Sequence, residues 1–87
     1  MDLKDYRDQI DKIDDEILRL FSERMDVARQ IAIYKKEHDL PVLNTEREHE
    51  KLLDISQKVG EDIRKYAFAL YAIMFEVSRK YQEDIIA

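Results

Sequence analysis

From Leu3 to His38 the apolar residues recur with a seven-residue period. One row reads Leu3, Ile10, Ile17, Arg24, Ile31 and His38; its companion reads Tyr6, Ile13, Leu20, Val27 and Tyr34. Rows with this spacing are the a and d positions of a helix that packs along its whole length. Arg24 interrupts the first row. A guanidinium does not give up its charge, so a place in an apolar seam calls for an anion beside it. Two anions answer that need: an Asp or Glu of the protein, or the carboxylate of a ligand.

The first helix is expected from about Leu3 to Lys36 or His38. It contains neither Gly nor Pro and is about 50 Å long at the usual rise. Pro41 then forces its predecessor out of the helical region, which makes Asp39 to Leu43 a loop. Asn44 or Thr45 caps a second helix of about 14 residues. Its apolar side is Leu52, Leu53, Ile55, Ser56 and Val59, and Gly60 is expected to end it in a left-handed conformation. Asp62 is expected to cap a third helix running to about Ile85, with a stripe of Ile63, Tyr66, Ala67, Leu70, Met74, Val77 and Tyr81. The fold class is therefore all-α, three helices in one domain, residues 1–87. The second helix, about 20 Å, cannot cover a seam of about 50 Å, and the third is also shorter than the first. The mismatch predicts a homodimer in which the long helices pack on each other; the other arrangement is a monomeric bundle with a protruding end.

Composition narrows the function classes. Charged residues are 40% of the chain and the formal net charge is −5. No basic face offsets that charge, so nucleic acid is not an expected partner. Cysteine is absent, so nothing suggests a disulfide framework or thiolate metal site. No apolar run approaches the roughly 20 residues of a membrane span, and no signal peptide is apparent. The expectation is a cytoplasmic protein with no membrane association.

Several polar residues share faces with the apolar ones. Lys35 follows Arg24 by 11 residues, a net rotation of about 20° and a rise of about 16 Å, so the two cations share a face and a small dianion fits between them. Lys35 also suits the negative end of the helix, beside Lys36. Arg7 lies about 25 Å from Arg24 along the helix and about 100° around it. It reaches the same ligand only from a second, antiparallel copy; otherwise it is a surface arginine paired with Asp11 at i+4. Arg47 and Glu48 open the second helix. Thr45 and Glu48 have the spacing of a capping box, yet Glu48 also lies on the inward side, where a carboxylate accepts from a ligand hydroxyl. Glu46 and His49 have the spacing of half a di-iron motif, with no second half in the chain. Ser78 and Gln82 project together at i, i+4, either to solvent or into a pocket. No Ser/His/Asp set and no glycine-rich phosphate loop is present. Cations and fixed donors suit catalysis by positioning and electrostatics.

Taken in order, Arg7-x-x-Ile10-Asp11-x-Ile13-Asp14, Glu23-Arg24, Lys35, Leu40-Pro41-Val42, Arg47-Glu48 and Ser78-x-x-x-Gln82 resemble the all-helical chorismate mutases of the AroQ type. The resemblance spans nearly the whole chain. It implies an intertwined homodimer with two sites and the rearrangement of chorismate to prephenate, with no cofactor and no metal. It also implies the site residues. Arg24, and Arg7 from the partner subunit, would hold substrate carboxylates. Lys35 would bridge a carboxylate and the ether oxygen. Glu48 would take the ring hydroxyl, and Gln82 would donate to the ether oxygen. Ser78 and Arg47 would line the pocket. Asn44 stands where the family often has Asp, so its contact would come from backbone or amide. Two readings compete: an isochorismate-pyruvate lyase on the same scaffold, and a non-catalytic helical dimerisation or regulatory module.

Overall fold

The computed structural model describes all 87 residues as three α-helices without strands: α1, Leu3–Glu37; α2, Thr45–Lys58; and α3, Arg64–Ile86. α1 starts at a reciprocal cap. Asp2 Oδ1 accepts from the Asp5 backbone N–H at 3.0 Å, and Asp5 Oδ2 accepts from the Asp2 N–H at 3.1 Å. At its other end the chain turns through Asp39 at φ 56°. The Leu40 N–H then bonds the Lys35 carbonyl at 2.8 Å and the Asp39 N–H that of Lys36 at 3.4 Å. This is a Schellman ending, built here on aspartate in the position that usually falls to glycine.

Asn44 is the cap of α2, its Oδ1 accepting from the Arg47 N–H at 3.0 Å. Thr45 is thus the first helical residue, and the expected Thr45–Glu48 capping box does not form. The other end also departs from expectation. α2 stops at Lys58 through an extended Val59, and no glycine has positive φ. A Cβ on Gly60 would sit 2.8 Å from Asp62 Oδ1, the end of a side chain that can rotate away. Arg64 satisfies the free carbonyls at this end of α2. Its Nε donates to Ser56 O at 2.9 Å and its Nη2 to Val59 O at 3.3 Å. Asp62 is not the cap of α3; it lies in a turn over residues 61–63, and Ile63 occupies the cap position without a side-chain bond.

α3 packs on both other helices, while the backbones of α1 and α2 do not approach closely. Ala28 and Ala32 are buried on α1, Phe75 and Gln82 on α3, and Ile55 on α2. These five residues are all that is buried in 87. The a/d seam is not part of that core: Leu3, Tyr6, Ile10, Ile13, Ile17, Leu20, Val27, Ile31 and Tyr34 are all exposed, as is every residue of α1 before Arg24. The α3 stripe is rotated from expectation. Ile63, Tyr66, Leu70 and Val77 are exposed, although Leu70 and Val77 line an apolar groove with Leu20 and Phe21 of α1; Ala67, Met74 and Tyr81 are half-buried, and the most inward face follows Tyr71, Phe75, Ser78 and Gln82. Leu53 is likewise exposed. The accessible surface is 7193 Å², against about 5,400 Å² for a folded monomer of this mass. The radius of gyration is 16.0 Å, against about 12 Å for a compact chain of this length.

Candidate active site

The space between α1 and α2, floored by α3, is a cavity of about 650 Å³. Seven of the eight candidate residues line it: Arg24 and Lys35 from α1, Asn44, Arg47 and Glu48 from the start of α2, Ser78 and Gln82 from α3. Leu20, Val27, Ala28, Ile31 and Phe75 supply its apolar wall. Arg7 is elsewhere, exposed on the free half of α1, and its i+4 pair with Asp11 does not form.

Local structure fixes several of these side chains. The Lys35 ammonium, half-buried, donates to the Val42 carbonyl at 2.7 Å. The loop thereby holds a cation at the cavity mouth and leaves two of its protons uncommitted. Arg24 is also half-buried. It enters none of the seven ion pairs and no hydrogen bond. The protein itself does not provide the anion that the sequence position called for. Arg47 is largely exposed, with Glu50 at 3.7 Å.

Glu48 is held by a residue that sequence reasoning missed. Arg79 Nη1 donates to both carboxylate oxygens, at 2.6 and 2.5 Å, and both side chains are about three-quarters buried. This is the one ion pair that joins two helices; the other six lie at i, i+3 or i+4. The contact spans 31 positions, a pairing no local pattern displays. Two further charged residues line the cavity: Glu23, read in the sequence only beside Arg24 and given no site role, and Lys51, which was missed. Lys51 was within reach of a periodicity argument, since it lies seven residues from Asn44 and three from Glu48 on one face. It donates to Asp54, whose carboxyl is held below the ordinary carboxylate range by hydrogen bonds from Lys58 and then Lys51.

Gln82 is 6% exposed. Its Nε2 donates to Ser78 Oγ at 3.0 Å, and its Oε1 is buried without a partner. Turning the amide by 180° lets the Ser78 hydroxyl donate to Oε1 and presents Nε2 as a free donor. The lining thus carries four cations and two carboxylates, one of them already neutralised by Arg79. In a chain of net charge −5, the lining carries more cations than carboxylates, the arrangement expected for a small anion. Glu46 and His49 do not converge with a third metal-binding side chain, and no helix is long and apolar enough to cross a membrane.

The profile of the family described as Chorismate mutase type II matches residues 6–83. The chain is 43% identical over 61 residues to a "Bifunctional chorismate mutase/prephenate dehydratase" of Aquifex aeolicus (strain VF5), covering 67% of this chain and 17% of the relative. It is 41% identical over 46 residues to a "T-protein" of Haemophilus influenzae (strain ATCC 51907 / DSM 11121 / KW20 / Rd), covering 53% of this chain and 12% of the relative. The chain therefore spans less than a fifth of the length of these relatives. No solved structure matches it significantly.

Proposed function

The chain belongs to the chorismate mutase type II family, and we propose that it catalyses the rearrangement of chorismate to prephenate in the three-helix cavity. The observation that carries the proposal is Arg24, a half-buried cation without a protein anion, facing a cavity that also holds Lys35 and Gln82. In this rearrangement an ether C–O bond breaks as a C–C bond forms within one molecule. It needs no nucleophile and no proton transfer. It needs a flexible dianion held in a chair and negative charge stabilised on the departing ether oxygen.

The roles follow from what each group offers. Arg24 binds one carboxylate with a planar fork of donors. Lys35, tethered by one proton to Val42 O, directs the others to a carboxylate and the ether oxygen. Glu48, held in place by Arg79, accepts from the ring hydroxyl. Gln82, with its amide turned, donates Nε2–H to the ether oxygen while Ser78 fixes the amide. Arg47 and Ser78 border the pocket. Asn44 spends its carbonyl oxygen on the cap and keeps its amide protons for the ligand.

Arg7 enters from the partner subunit of a homodimer, with residues 1–87 as one domain of that assembly. The support is the uncovered seam. The surface in excess of a compact monomer is roughly 1,800 Å², more than the ~800 Å² each partner gives to a standard interface and in the range of obligate dimers. A second copy laid antiparallel on the seam brings its Arg7 toward this cavity, which no straight single helix does.

The test is to mix the purified chain with chorismate, follow the loss of its absorbance and identify the product. Prephenate without pyruvate is expected. Release of pyruvate assigns a lyase instead, and absence of turnover at high protein concentration leaves a non-catalytic helical module.

A further inference from the structure

Lys51 stands on the cavity wall with no role in the chemistry above. Asn44, Arg47, Glu48 and Lys51 share one face of α2 at i, i+3, i+4 and i+7, and all four line the cavity. The Lys51 side chain is 30% exposed. Its ammonium donates to Asp54 Oδ2 at 3.2 Å and lies 6.0 Å from the centroid of the Tyr71 ring. Asp54 does not depend on that contact, because Lys58 Nζ reaches the same oxygen at 3.0 Å. If Lys51 leaves, Asp54 keeps a partner, and a pair of this partly exposed kind holds weakly in any case. The stem is long and flexible, and the neighbouring carboxylate that would compete for it, Glu48, is already taken by Arg79.

We propose that Lys51 is a substrate-binding residue: when a dicarboxylate enters, its ammonium leaves Asp54, turns into the cavity and pairs with a carboxylate oxygen of the ligand. The proposal rests on the reading of the cavity as a dicarboxylate site. In the empty protein Lys58 and Lys51 share one acceptor. In the complex each cation has its own anion, Lys58 on Asp54 and Lys51 on the ligand. Asp54 acts as a parking place that keeps Lys51 close to the cavity without burying an unpaired ammonium.

The test is steady-state kinetics on chorismate with the full chain and three variants, Lys51→Met, Lys51→Arg and Asp54→Asn. Lys51→Met is expected to raise KM about tenfold, the weight of one charge-assisted hydrogen bond, with a smaller effect on kcat. Lys51→Arg keeps the charge and restores most of the loss. Asp54→Asn releases Lys51 from its parking place and lowers KM. If the contact serves only the fold, Lys51→Met and Asp54→Asn break the same pair and move KM in the same direction; that result overturns the proposal. An unchanged KM in Lys51→Met, with turnover abolished by Arg24→Ala, also overturns it and leaves the chorismate reading standing. A wild-type chain without turnover overturns both. If Lys51→Met does not fold, Asp54→Asn decides alone: a lower KM supports the role, and an equal or higher KM refutes it.

Discussion

At the scale of single residues, two side chains carry opposite lessons about polar groups on apolar faces. Arg24 is half-buried on the cavity wall with no protein anion beside it, so it is expected to add nothing to the stability of the empty protein. Arg24→Met is therefore expected to leave the melting temperature equal or higher, while kcat/KM falls about 10²-fold or more through loss of a charge-assisted fork. A drop in both would show that Arg24 serves the fold. Gln82 is neutral at every physiological pH, so the wild-type rate is expected to be nearly flat between pH 6 and 8. In Gln82→Glu only the protonated carboxyl donates. Burial raises that carboxyl's pKa, so the variant is active on the acid side and fades as pH rises through it. A wild-type rate that falls tenfold over the same interval would remove Gln82 from its role. Both residues were legible in the sequence because each breaks or flanks an apolar row. Arg79 was not, because its partner Glu48 is 31 positions away and only the antiparallel packing of α2 on α3 brings them together.

At the scale of the elements, helix existence followed from periodicity and helix ends from local chemistry, with uneven success. The bounds of α1 and the start of α2 lie where the caps and Pro41 put them, whereas α2 ends without the glycine cap expected at Gly60. The start of α3 does not, because Arg64 is occupied with the carbonyls of α2 and the turn over 61–63 absorbs Asp62. The left-handed residue is Asp39, where the sequence pointed to Gly60. Three substitutions separate these effects by chemical denaturation. Asp39→Gly is expected to stabilise by up to about 1 kcal/mol, the strain of a left-handed L-residue. Asn44→Ala is expected to cost about 1 kcal/mol with the lost cap. Gly60→Ala is expected to cost less than about 1 kcal/mol, since its backbone is not left-handed and the Asp62 carboxylate it meets can rotate. A larger loss at Gly60 than at Asn44 would contradict the geometry of this turn. The rotated stripe of α3 has a plain physical cause: a sequence shows which side of a helix is apolar, not whether its own chain or another covers it.

At the scale of the whole molecule, only five of 87 residues are buried and the apolar seam of α1 is exposed, the surface on which the proposed homodimer would pack. Sedimentation is expected to give a dimer. Ile10→Glu with Ile13→Glu is expected to abolish it together with the cooperative thermal transition. Arg7→Ala and Arg24→Ala chains, each inactive alone, are expected to regain part of the activity when refolded together, because a mixed dimer holds one site with both arginines intact. No recovery in demonstrated mixed dimers would refute a shared site. The bare first half of α1 has one more consequence. If folding, assembly and completion of the site are one event, dilution below the dissociation constant removes enzyme as well as dimer, and the rate then falls with the square of total protein. A cell that halves its supply of this chain in that regime keeps a quarter of the flux, so expression level alone works as a steep throttle.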